Sequence, residues 1–158
     1  MVLSVKTDLM KKILKLKLFW LFSIYAIIDF LCVGAGMGVP IFCILLGFLT
    51  GYVIMRKLMS ETNNLNKILN KSVKYGIISS LITFLFMLLI WGISIMNFFN
   101  KHYDFKNFGN PLILYDPKAS FVGWIVLMIL ISPFLQLLTT IFSFYITLVI
   151  NKNNDNTA

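Results

Sequence analysis

Charge is scarce in this chain. Only 13% of its 158 residues are Asp, Glu, Lys or Arg, against about 25% in an ordinary soluble domain. Histidine occurs once, at His102, which excludes bis-histidine haem ligation and a histidine-built metal cluster. No Ser/His/Asp set, no His-Glu-x-x-His and no Gly-Lys-Ser/Thr phosphate loop is present. Gly34-Ala35-Gly36-Met37-Gly38 follows an apolar helix rather than a strand, so it is no nucleotide loop. The chain therefore reads as non-enzymatic, with no cofactor and no metal. Cysteine occurs twice, at Cys32 and Cys43, and without a Cys-x-x-Cys spacing a redox enzyme is not expected. The two thiols flank the glycine run. They either pair across it on an oxidising side or stand as two small buried side chains.

What the chain has in excess is apolar surface. It is 59% hydrophobic with mean hydropathy +0.87, and a soluble fold of this length cannot hide that much. The expected fold is all-α, an integral membrane protein with one domain of four transmembrane helices. The spans read as about 18–33, 39–55, 76–99 and 121–150. Residues 100–120 form an aromatic-rich outer loop, with turns expected at Asn110-Pro111 and Asp116-Pro117. Residues 151–158 read as a disordered tail. The fourth apolar run is charge-free and ~45 Å long as straight helix. A hydrocarbon core is only ~30 Å thick, so this run tilts, projects or kinks, and Pro133 is the kink site.

Two short basic amphipathic surface helices are expected beside the spans. The first covers 1–19, where Leu9, Ile13, Leu16 and Trp20 share a face and lysines take most of the rest. A cleaved secretory signal is the rival reading, and the long basic stretch argues against it. The second lies within 56–75, where Leu65, Ile68, Leu69 and Val73 form the stripe. A solvated loop is the alternative there.

The net charge is +8, and its placement is informative. The cations sit at or before Lys17, in 56–74, in 101–118 and at Lys152, all outside the apolar runs. Four spans put eleven of them on one side and three on the other. The positive-inside rule then places both termini in the cytoplasm of a cell membrane. These cations read as topology signals and as contacts to anionic lipids of the cytoplasmic face, not as a nucleic-acid surface. Only Arg56 of the 14 cations is arginine. Lysine, isoleucine and asparagine abound, the bias of AT-rich bacterial coding.

Asp29 is the one ionisable side chain inside the apolar runs. It lies ~18 Å beyond Lys17 along the helix, about two-thirds of the way to the outer face, with Tyr25 one turn earlier on the same side. Either it is a ligand for an ion, proton or substrate, or it caps the glycine turn or snorkels to the interface. The shallow depth favours the structural role. Ser94 and Asn97 of the third span are its expected neighbours, with Lys101 and His102 reaching down. Cys43, Gly47 and Gly51 recur every four residues, and Gly47-x-x-x-Gly51 is a small-xxx-small packing motif. It is expected to face the first or third span, or a second copy. Ser132, Gln136, Thr139, Ser143 and Thr147 form a polar stripe on the fourth span. It either lines a path or joins helices and bonds its own backbone. The stripe reads as inner and Asp29 as outer, so the two are not expected to meet.

The functional expectation is an accessory or interaction subunit of a membrane complex, working through another membrane protein or through self-association. The alternative is an oligomeric small-solute or ion transporter or channel using Asp29 and the polar face of the fourth helix.

Overall fold

A computed structural model describes residues 18–34, 39–62, 64–100, 102, 104–106 and 111–157, with backbone alone for Leu18, Val39 and 152–157. The basic segment before residue 18 and the glycine turn at 35–38 lie outside the described residues, as do Lys101 and Tyr103. What is described is all-helical, without a strand. Helix α1 runs Leu18–Gly34, α2 Val39–Glu61 and α3 Leu65–Phe98. A last rod comprises α4 (Pro117–Val126), a π turn (Leu127–Ile131) and α5 (Ser132–Thr157).

Three of these are long and apolar enough to cross a membrane: α2, α3 and the rod over Pro117–Asn151. Helix α1 is apolar but shorter, 17 residues, or ~25 Å at 1.5 Å per residue. The outward faces carry the large apolar side chains. Leu31, Leu89, Ile93 and Tyr145 are each about two-thirds or more exposed. Serine, threonine, Gln136 and Asp29 take the interior beside Met87 and Met128. Polar groups inside and branched apolar groups outside is the arrangement lipid demands, because only interior neighbours can satisfy a hydrogen bond there.

The sequence expectations need adjustment at both ends of the helices. No separate surface helix occupies 56–75. Helix α2 continues through Arg56 and Lys57 to Glu61, and α3 starts at Leu65. Asn64 caps it, its side chain accepting from the Lys67 amide at 3.2 Å. The first turns of α3 do not lie flat. Ile68 is buried against Ile54, Met55 and Leu58 of α2, while Leu65, Leu69 and Val73 stay exposed. Helix α3 therefore spans 34 residues, ~51 Å, and begins eleven residues before the expected third span.

The last helix begins earlier than expected too. Asp116-Pro117 is a helix start: the Asp116 carboxylate accepts from the Lys118 and Ala119 amides at 3.3 and 3.2 Å, and Pro117 takes the first turn. The backbone stays helical to Thr157, where a disordered tail was expected. Extending a formed helix adds one hydrogen bond per residue, and nothing in Asn-Lys-Asn-Asn breaks it. At the proline the rod widens rather than simply bending. Pro133 has no N–H and crowds the carbonyl four residues back. The preceding turn opens to a π turn, and both the amide and the hydroxyl of Ser132 go to Leu127 O, the hydroxyl at 2.8 Å.

Between α3 and α4, Phe105, Pro111 and Ile113 pack onto the helix ends. Ile113 N donates to Ser120 Oγ at 2.7 Å and Trp124 Nε1 to Pro111 O at 2.8 Å. The Lys118 ammonium stands 4.8 Å from the Phe98 ring centre, a cation–π contact. Phe105 stacks edge-on against Phe98 and Phe121.

Candidate functional site

The interior polar groups meet at Tyr25. It projects from α1 into the bundle and is buried. Its hydroxyl lies 2.7 Å from Thr83 Oγ1 and 3.0 Å from Ser79 O of α3, and it accepts from Gln136 Nε2 of α5. Thr83 Oγ1 donates to Asp29 Oδ2 at 2.8 Å. One hydroxyl carries one proton. Thr83 gives its proton to the carboxylate, so Tyr25 must donate to Thr83 or to Ser79 O, and Gln136 donates to Tyr25. With the Tyr25 proton on Thr83 the bonds run in one direction, from Gln136 through Tyr25 and Thr83 to Asp29, and with either choice the contacts tie three helices together.

Asp29 and Gln136 are both 0% exposed. Each keeps one acceptor without a partner among the described residues: Oδ1 of Asp29 and Oε1 of Gln136. Asp29 enters no ion pair among them. No group of three or more His, Cys, Asp or Glu side chains is placed to hold a metal ion among the described residues.

The expected neighbours of Asp29 are therefore replaced. Thr83 takes the place assigned to Ser94 and Asn97, which lie three and four turns further along α3. The reason is hairpin height. Val33, at the end of α1, packs with Met87, Trp124 and Met128. Helix α1 thus ends eleven residues below the end of α3, ~16 Å short of it. Asp29 sits within the bundle rather than near its rim. The same offset brings it into one network with Gln136, which had been set in the opposite half.

Thr83 and Ser79 were not singled out in the sequence, although the signal was there. Ser72, Gly76, Ser79 and Thr83 step by four, three and four through an apolar run, the same pattern as the stripe on the last helix. All four are buried.

The polar stripe divides by partner. Gln136 crosses to Tyr25, and Ser143 Oγ crosses to Phe48 O of α2 at 2.8 Å. Ser132, Thr139 and Thr147 bond carbonyls of their own helix. Gly47 and Gly51 face this stripe, not α1 or α3. A Cβ on Gly47 would stand 2.7 Å from Gln136 O and closer still to Thr139 Oγ1. One on Gly51 would stand 2.6 Å from Thr140 O. Such distances mean the α2 and α5 backbones touch, which only glycine permits.

No known relative marks the site. Neither a protein family, nor a curated protein, nor a solved structure matches this chain.

Cys43 is buried in the cluster of Val33, Met87 and Trp124, while Cys32 is partly exposed. Both are free thiols, not a disulfide. Two apolar grooves run between helices. One of about 560 Å³ lies between α2 and α5. A second, of about 220 Å³, lies between α1 and α2, with Tyr25 and Thr50 in its wall.

Proposed function

We propose that this protein is a non-enzymatic, four-span accessory or interaction subunit of a membrane complex, with both termini in the cytoplasm. One observation carries the reading: the polar side chains at membrane depth face one another or their own backbone, and the cavities beside them are apolar. A conduction path wants polar groups turned toward water. Here Gln136, Tyr25 and Thr83 are turned inward as helix-to-helix contacts, and the bundle offers its surroundings branched aliphatic faces. Helix α1 serves as the fourth span, its short apolar length met by local thinning of the bilayer.

A second reading has its own support. Asp29 Oδ1 is a wholly buried carboxylate oxygen without a partner among the described residues, and intramembrane carboxylates mark ion and proton paths. One experiment separates the two. Purified protein in liposomes is tested against a panel of monovalent ions and a pH gradient, alongside extraction in mild detergent. The accessory reading expects no flux from the wild type. It also expects a stoichiometric partner that Asp29→Asn retains. Flux that Asp29→Asn abolishes would establish the transporter instead. Topology is checked by labelling single cysteines in a Cys32→Ser, Cys43→Ser background. Positions in 103–118 should react from outside and those in 60–72 should not. The reverse pattern overturns the orientation.

A further inference from the structure

We propose that the groove between α2 and α5 is a binding site for one anionic phospholipid, its acyl chain in the groove and its phosphate on Arg56. The inference rests on the membrane reading but not on the accessory role.

The groove is sorted by chemistry along its length. Leu45, Phe48, Ile146 and Ile150 make its wall, and Tyr52, Arg56 and Asn151 close one end. The hydroxyls near its floor are already engaged: Ser143 Oγ with Phe48 O and Thr147 Oγ1 with Ser143 O, at 2.8 and 2.7 Å. The wall therefore offers hydrocarbon contact and little for a polar solute to bond. From Leu45 to Arg56 is eleven residues, ~16 Å of helix. That is about half of a ~30 Å hydrocarbon core, the depth of one leaflet. The groove thus begins at headgroup level and ends where an acyl chain ends.

Arg56 supplies the charge complement. It is the only arginine among 14 cations, and it is held rather than free. Its Nη1 donates to Asn151 Oδ1 at 3.0 Å, its Nε reaches Tyr52 Oη at 3.5 Å, and its carbon centre lies 5.8 Å from the Tyr52 ring. Two of its five N–H groups are so occupied. The remaining three have no partner among the described residues, and the side chain is exposed. A guanidinium fixed at one edge, with the rest of its fork open, matches two phosphate oxygens. Lysine, a mobile point charge, would not be positioned in this way.

The test is native mass spectrometry of the detergent-purified chain with phosphatidylglycerol, phosphatidylcholine or inorganic phosphate. The expected result is one retained phosphatidylglycerol, preferred over phosphatidylcholine about fivefold, the factor one cation near an anionic surface supplies. Arg56→Gln should erase the preference while leaving weak retention of both lipids. Leu45→Trp, which fills the deep end away from Arg56, should reduce retention of both with melting temperature unchanged. Equal retention of the two lipids by the wild type overturns the proposal, and that readout needs no variant to fold. Inorganic phosphate competing at the same concentration as the lipid would make this a soluble-anion site. A dimer that excludes lipid would make it a self-association face. Either result overturns the assignment.

Discussion

Helix α5 is held on two sides by different physics. Toward α2 it is held chiefly by close approach: Gly47 and Gly51 let the two backbones touch, with Ser143 Oγ donating to Phe48 O across the seam. Toward α1 and α3 it is held by Gln136, which enters the chain of hydrogen bonds ending on Asp29. Water would reward both contacts by burying apolar surface. Lipid does not, so close packing and polar bonding carry the association themselves. The glycine contact tolerates no added atom, whereas the polar contact tolerates any change that keeps its donors matched to its acceptors.

The largest effect should follow from breaking the glycine side. Gly47→Leu places a branched side chain where even a Cβ meets Gln136 O at 2.7 Å. The expected loss is at least ~3 kcal/mol, the upper end of overpacking costs. It should appear as a large drop in detergent melting temperature, with Gly47→Ala intermediate. An unchanged melt for both variants would show that the two helices do not approach in the membrane.

The polar side should break more gently. Thr83→Val keeps the shape but removes the donor to Asp29 Oδ2. Leaving a buried acceptor unmatched costs ~1–3 kcal/mol, and Thr83→Ser should restore most of it. The sharper form is a cycle with Asp29→Leu. Once the carboxylate is gone the Thr83→Val loss should shrink, because the two effects are one interaction. Additive losses would mean that Thr83 matters only through packing.

The smallest effect is expected where the stripe bonds its own backbone. Ser132→Ala and Thr147→Val remove hydroxyls whose partners are Leu127 O and Ser143 O of the same rod. Each should move stability by no more than ~0.5 kcal/mol in either direction, since such back-bonding adds little to a helix. A loss as large as that of Thr83→Val would show that these hydroxyls cross to a neighbour.

Much of this comparison can be read in the sequence, but not which face meets which. The apolar runs and charged borders announce the long helices. Gly47 and Gly51 announce a close approach, and residues 132–147 announce a polar face. Nothing in either pattern says that each is the other's partner: a small-residue face specifies a distance, not a neighbour. Tyr25 and Asp29 are visibly on one side of one helix, one turn apart. Their partners were misplaced because the two hairpins were set at equal height, and height is a tertiary property. Residues 56–75 misled for a different reason. Their lysines and intermittent apolar stripe suit an interfacial helix as well as the solvated first turns of a long one. The cap at Asn64 decides between them by fixing where α3 starts.

The π turn sets the angular phase of the last rod, which its composition does not reveal. An α-helix rotates 100° per residue, so a ladder stepping by four drifts ~40° at each step. The buried positions of the rod step this way: Ser120, Trp124, Met128, Ser132, Gln136, Thr140. Five such steps would carry the ladder ~200° round a plain helix, onto its far side. The one extra residue held in Leu127–Ile131 takes back ~100° of that. It is a phase correction written into the backbone. Deleting one residue of the turn should be absorbed, because a plain helix one residue shorter keeps the same phase, whereas closing the turn with every residue kept would swing Trp124 and Ser120 ~100° off the core. The loop pinned to them through Pro111 and Ile113 would turn with them, leaving Gln136 and the glycine contact behind.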